Sequence, residues 1–245
     1  MTLAKASRTA EVLFQSRRDD NPLIDLSAEL EPVNLDEAYA IQEETLHLIG
    51  KSGGWKVGPT PTGEPRCAPL PASVFYTSGA SLKVPALGYD VEVETAFTFA
   101  QNVVPGMRVE DAIGSVRLAF EMVASRFRNR KGVSMYANLA DLQSNAAVIL
   151  GPEITDWRKV EIGDLAVTLS MDGIVQDLPQ KHTGMAETLS ALNWLADHAH
   201  ARGRGLREGD TVITGARIGP SPIGHAWEIR TSVPSLGSVH VEFTR

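Results

Sequence analysis

The sequence predicts an α+β protein: a small helical N-terminal part over residues 1–70, then a β-rich part over residues 71–245 folded as a mixed β-roll or distorted sandwich. Three observations predict it. Helical periodicity dominates before residue 50 and returns only at residues 109–116 and 188–201. Short alternating runs rich in β-branched residues fill most of the rest. Helices and strands do not alternate as a βαβ series requires, and the chain has no Gly-rich phosphate loop of either nucleotide-binding kind.

Residues 2–18 form the first predicted helix, with Ala6, Ala10, Val12, Leu13 and Phe14 as its apolar stripe; Asn21-Pro22 breaks it. The second starts at Asn34, a good N-cap, with Glu37 three residues on as its capping-box partner. Leu35, Ala38, Ile41, Thr45, Leu48 and Ile49 follow at helical spacing, and Gly50 and Gly53-Gly54 stop it. Trp55-Lys56-Val57-Gly58 is a short strand-like run. Pro59, Pro61, Pro65, Pro69 and Pro71 then make a stiff extended loop, which sets the boundary between the two parts and is also a candidate flap.

Residues 90–100 alternate. Val91, Val93, Thr95, Phe97 and Phe99 share the face expected to enter a core, and Asp90, Glu92 and Glu94 share the other. Glu92 and Glu94 are then about 7 Å apart and point the same way. Like charges this close repel unless a cation sits between them or one takes a proton. A hard divalent ion resolves the repulsion; a solvated strand face is the alternative. Residues 118–127 alternate again and leave Glu121 as a lone carboxylate in an apolar strand, costly unless paired or metal-bound. Three carboxylates and two or three waters complete an octahedron suited to Mg²⁺ or Mn²⁺.

Further strands are predicted at residues 145–150, 165–171, 173–175, 212–215, 226–229 and 238–243, with Asp172-Gly173 as a hairpin turn. The helix at residues 188–201 turns Leu189, Leu192, Leu195, Ala196 and Ala199 inward, and Gly203 and Gly205 close it.

With 245 residues, 43% of them hydrophobic, the chain can bury a sizeable core. A net charge of −7 without a long Lys/Arg run argues against a nucleic-acid partner. The single cysteine, Cys67, excludes an internal disulfide, fits a reducing compartment and reads as a loop thiol with no role. No apolar signal core opens the chain and no apolar run reaches membrane-spanning length, so the expectation is a soluble cytoplasmic protein. None of the six histidines has ligand spacing beside a third ligand; all read as structural or surface groups.

Several segments resemble one family. They are residues 54–60 (Gly-Trp-Lys-Val-Gly-Pro-Thr), Glu92-Val93-Glu94 with Ala96-Phe97, residues 118–126 and residues 140–144. Residues 191–196, 209–215 and 236–239 continue the series in the same order. Together they resemble the 2-hydroxypenta-2,4-dienoate hydratase and 4-oxalocrotonate decarboxylase family, within the fumarylacetoacetate-hydrolase-like superfamily, over about residues 35–243.

The resemblance implies that Glu92, Glu94 and Glu121 bind the divalent metal. It implies that Lys56 meets the substrate as a cation or proton donor, with a pKa lowered by its surroundings. Ser144, Thr214 and Asp141 match substrate-binding positions. The implied reaction adds water to a short unsaturated 2-oxo or 2-hydroxydienoic acid in aromatic catabolism. Decarboxylation of a 2-oxo acid is the alternative, since both pass through a metal-stabilised dienolate. Carbon–carbon hydrolysis needs a His–Glu base pair that the sequence does not place. A non-catalytic partner subunit that keeps the fold is a further reading. The resemblance also implies a small-molecule 2-oxo acid substrate and a homo-oligomer that associates with a pathway enzyme.

Three departures stand against the resemblance. The acid expected in a Pro-Asp-x-Gly segment is missing from Ala68-Pro69-Leu70-Pro71, and the family's Asp-Asn pair reads Asp141-Leu142. Arg217 stands where the family is small or apolar; it either pairs with the second carboxylate of a diacid or is exposed and inert.

Overall fold

The computed structural model describes residues 3–58 and 63–245. Helix α1 (Leu3–Asp19) buries Ala6, Thr9, Ala10 and Leu13. Its expected start at Thr2 lies outside the described residues. Asn34 Oδ1 accepts the Glu37 N–H at 2.9 Å and opens α2 (Leu35–Ile49). Glu37 does not close a capping box. Its Oε2 accepts instead from Val33 N–H at 3.1 Å and from Lys5 Nζ at 2.9 Å, which ties α2 to α1.

Strands β1 (Ser52–Gly58), β2 (Arg66–Pro71), β3 (Phe75–Thr77), β4 (Ala80–Lys83) and β5 (Asp90–Phe99) follow. Then come α3 (Val109–Ala112), β6 (Ile113–Val123), α4 (Met135–Ala140), β7 (Asn145–Leu150), β8 (Thr168–Met171) and β9 (Ile174–Val175). Helix α5 (Met185–Ala201) precedes β10 (Thr211–Ile213), β11 (Ile218–Pro222), β12 (Glu228–Val233) and β13 (Gly237–Thr244). The larger sheet runs β2-β1-β10-β5-β6-β7-β3, with β11 also on β5; the smaller runs β4-β13-β12-β8-β9. Both mix parallel and antiparallel pairs: β1 with β10, β3 with β7 and β13 with β4 are parallel. The expected α+β class with mixed sheets and few helices is what the chain forms.

Two elements differ from expectation. Much of the proline-rich stretch is a strand, not a loop: β2 lies at the sheet edge and pairs antiparallel with β1. An edge strand needs donors on one side only, so Pro69 and Pro71 fit there. Cys67 is accordingly a buried strand residue. The flap expectation falls partly on residues 59–62, outside the described residues. The helix expected at residues 109–116 stops at Ala112, because Ile113, Ser115 and Val116 are buried in β6, and sheet packing overrides a weak helical period.

The main core fills one side of the large sheet and includes Val91, Val93, Phe97, Phe99, Leu118, Phe120 and Met122. A smaller apolar cluster of Leu70, Val74, Ala96, Ala119, Val148 and Ile213 covers part of the other side. No helix among the described residues is long and apolar enough to cross a membrane.

Candidate metal and substrate site

Register alone gathers the site. Glu92 lies opposite Glu121 and Glu94 opposite Ala119 across β5 and β6. Lys56 is level with Ile213 on β10, which is level with Ala96 on β5. Cross-strand partners share a face. Lys56, Glu92, Glu94 and Glu121 therefore rise from the face that carries the smaller apolar cluster. Carboxylate oxygens of the three glutamates lie within 4.8 Å of one another. Glu94 is 2% exposed and Glu121 is fully buried. This is not the solvated face that strand alternation alone allowed.

Each carboxylate is held differently. Lys56 Nζ donates to Glu121 Oε1 at 2.6 Å and Oε2 at 2.7 Å, and Asn145 Nδ2 donates to Oε1 at 2.9 Å. Gly215 N–H donates to Glu94 Oε2 at 2.7 Å. Gly215 has φ +99°, a backbone conformation costly for other residues, and that turn aims its N–H at the carboxylate. Burial, then the Glu121 charge, pushes Glu92 up to about 7. Burial, then Glu121 and Glu92, pushes Glu94 well above the usual carboxylate range. For Lys56, burial opposes the charged form, but Glu121, Glu92 and Glu94 together outweigh it and its pKa is raised. This reverses the expected lowering, because the facing charges of Glu121, Glu92 and Glu94 favour the ammonium more than burial disfavours it.

The residues before β7 form a strained turn. Leu142, Gln143 and Ser144 have φ of +48°, +51° and +60°, three consecutive non-glycine residues in the left-handed region. Such a conformation costs about 1–2 kcal/mol per residue and persists where its surroundings enforce it. Ser144 N–H donates to Asp141 O at 2.8 Å, and Ala124 N–H to Ser144 O at 2.9 Å. Gln143 O accepts a longer bond from Lys56 Nζ at 3.4 Å. Ser144 Oγ, Gln143 Oε1 and Asn145 Oδ1 are buried without a hydrogen-bond partner among the described residues. Buried polar atoms left unpaired in a row point to a ligand that completes them.

The other expected site residues are placed as follows. Thr214 is buried and lines the cavity, but its hydroxyl bonds Thr95 Oγ1 at 3.0 Å and Thr95 O at 3.2 Å. Asp141 is not joined to the glutamates by any bond. Its carboxylate takes Arg126 Nε, Arg126 N–H at 3.1 Å and a long bond from Ser125 Oγ at 3.4 Å. Asp141 thereby anchors the turn that presents Ser144. Arg217 is not exposed: it is 2% accessible, NH1 donates to Thr183 O at 2.5 Å and NH2 to Thr95 Oγ1 at 3.4 Å. Burial lowers its pKa, while Glu94 and Glu187 oppose the lowering.

A cavity of about 210 Å³ opens over the cluster, lined by Lys56, Glu92, Glu94, Gln143, Lys181 and Gly215 among others. Reading the sequence missed Gln143, Asn145, Lys181 and Gly215. Gln143 and Asn145 flank Ser144 in sequence, but their roles depend on the left-handed turn, for which Leu-Gln-Ser gives no signal. No histidine among the described residues joins the three-glutamate group. His198 stacks on Trp194 at 4.7 Å, and His240 Nδ1 meets Ser78 Oγ at 3.1 Å. The three-carboxylate set is a hard oxygen donor set, the kind that fits Mg²⁺ or Mn²⁺.

The fumarylacetoacetate (FAA) hydrolase C-terminal family matches residues 49–243. A 2-keto-4-pentenoate hydratase of Burkholderia vietnamiensis is 30% identical over 225 residues, covering 84% of this chain and 85% of that one. A 2-hydroxyhexa-2,4-dienoate hydratase of Comamonas testosteroni is 24% identical, covering 95% of each chain. A solved 4-oxalocrotonate decarboxylase from Pseudomonas putida G7, complexed with magnesium and adipate, superposes with a TM-score of 0.86 at 21% identity, covering 100% of this chain and 99% of that chain.

Proposed function

As this chain belongs to the fumarylacetoacetate hydrolase C-terminal family, we propose that it is a divalent-metal-dependent lyase that hydrates a short unsaturated 2-oxo acid of aromatic catabolism. The carrying observation is the convergence of Glu92, Glu94 and Glu121 beside Lys56 under an open cavity. Those three glutamates would hold Mg²⁺ or Mn²⁺. A divalent ion held there would supply Lewis acidity to a 2-oxo acid that chelates it.

The chain's own groups do the rest. Lys56, charged and fixed on Glu121, offers a proton donor at the cavity wall. Asn145 Nδ2 adds a second donor to Glu121 Oε1, and Gly215 N–H orients Glu94. Ser144 Oγ is free to bond the substrate. Thr214 and the 141–144 turn shape the wall, with Asp141 acting through its backbone and through Arg126. We further propose a homo-oligomeric cytoplasmic enzyme; the buried free thiol of Cys67 suits a reducing compartment.

One observation favours decarboxylation as a second reading. On β2 the residue level with Lys56 is Ala68, so among the described residues β2 places no carboxylic acid opposite the lysine, where hydration would use one besides the glutamate cluster. Incubation with Mg²⁺ and either 2-hydroxypentadienoate or 2-oxohex-3-enedioate, followed by ultraviolet absorbance and carbon dioxide release, tests both. Loss of the first chromophore without gas supports hydration; gas from the second assigns decarboxylation. Inertness toward both, with metal bound, contradicts the lyase reading and leaves a non-catalytic partner subunit.

A further inference from the structure

A second cavity of about 260 Å³ adjoins the first, with Gln143 in the wall of both. Two guanidinium groups line it, Arg66 and Arg130, together with Asn138, Ser144 and Met135. Arg66 opens β2 directly opposite Gly58, two residues along β1 from Lys56. Opposite residues share a face, and so do residues two apart on a strand. Arg66 therefore rises on the same side of the sheet as Lys56 and the glutamates.

The cavity is built for an anion. Among the described residues no carboxylate forms an ion pair with Arg66 or Arg130, whereas Arg126 nearby in sequence is committed to the Asp141 carboxylate and to the carbonyls of Asp141, Ala124 and Asn145. Arg66 NH2 has a weak contact to Met135 Sδ at 3.7 Å. Asn138 Nδ2 donates to Arg130 O at 2.9 Å and holds the backbone behind that guanidinium. Ser144 is 1% exposed and its Oγ has no partner, so a buried hydroxyl faces the cavity unpaired.

We propose that Arg66 and Arg130, with Ser144, form a subsite for the distal carboxylate of a short dicarboxylic 2-oxo acid whose 2-oxo end lies at the glutamate cluster. The inference rests on the preceding reading of that cluster and names its substrate class. Guanidinium groups suit the task because their planar donors match a carboxylate in two parallel bonds. A monoacid of the same length would leave both cations without a counterion. Arg217, the arginine that the sequence singled out for a second carboxylate, is already spent on Thr183 O and Thr95 Oγ1.

The test compares two unreactive probes that differ only at the far end: 2-oxohexanedioate and 2-oxohexanoate, titrated into the Mg²⁺-loaded protein by calorimetry. Oxalate serves as a third probe that reaches the chelating end alone. The expected result is binding of the diacid at least about tenfold tighter than the monoacid. Arg130→Gln and Arg66→Gln should each erase that preference and leave oxalate and monoacid binding within about twofold, with circular dichroism showing a folded chain. Arg130→Lys should retain part of it, since the charge stays and the fork is lost. Equal affinity of the wild type for both 2-oxo acids, with oxalate bound, overturns the subsite alone. Failure of oxalate to bind the Mg²⁺-loaded wild type overturns the reading of the glutamate cluster instead. Equal weakening of all three probes in the Gln variants also overturns the proposal, since it would mark a structural role.

Discussion

Two buried ionic constellations sit a few residues apart, and they are built on opposite principles. Arg126 and Asp141 form a balanced pair: one cation, one anion, with the guanidinium also donating to Asp141 O, Ala124 O and Asn145 O. Lys56 with Glu92, Glu94 and Glu121 is unbalanced, one cation against three carboxylates, and its turn leaves Gln143, Ser144 and Asn145 atoms unpaired. Desolvating a charge is tolerable when its partner and hydrogen bonds are complete. A site that must accept a doubly charged ion and an organic acid has to leave that balance open. The difference separates charge that holds the fold from charge that awaits a ligand.

Asp141→Ala should give the largest effect. It strands the Arg126 guanidinium in the interior, which costs about 3–5 kcal/mol, a large share of a typical domain's stability. Chemical denaturation should show the loss with or without Mg²⁺. A loss that Mg²⁺ reverses would erase the distinction between the two constellations.

Glu94→Gln should do the reverse. It removes one of three crowded charges while keeping an oxygen for Gly215 N–H, so the metal-free protein should melt no lower than wild type. Metal affinity should fall by about 100-fold or more, read by calorimetry, because a charged ligand is lost. A variant that binds Mn²⁺ as wild type does would remove Glu94 from the ligand set.

Asn145→Ala should come next. It deletes the bond to Glu121 Oε1, and loss of such an orienting partner costs about 10–100-fold in metal affinity. The measurement is Mn²⁺ titration at constant pH, with Lys56 and Glu121 intact.

The pH effect is the smallest. Burial raises Glu92 from 4.5 to about 7 and lifts Glu94 well above the usual carboxylate range, so the folded metal-free state holds protons that the unfolded chain releases. Stability from these groups is fully present below about 4.5 and is lost as pH rises through about 7. Melting temperature without metal should fall between about pH 5.5 and pH 8, while Mg²⁺ should stabilise more at the upper end.

The sequence disclosed the unbalanced half of the contrast better than the balanced half. Glu92 and Glu94 were legible because strand alternation places them on one side, and Glu121 because a carboxylate amid Leu118, Phe120 and Met122 is conspicuous. That the three meet follows from strand register, which alternation does not specify. β2 was hidden by its prolines, whose edge position only the sheet order reveals. Arg66 and Arg130 were unremarkable in sequence, one in the proline-rich stretch and one in a short basic run. Gln143 and Asn145 depend on a left-handed turn that Leu142 and Ser144 do not advertise.

The claim that the open charge awaits a divalent ion is tested most directly by titrating the metal-free protein with Mn²⁺ near pH 7 and reading stoichiometry and heat. The account predicts one ion per chain, with proton release from Glu92 and with binding lost in Glu94→Gln. No saturable binding, or binding unchanged by Glu94→Gln, would contradict it.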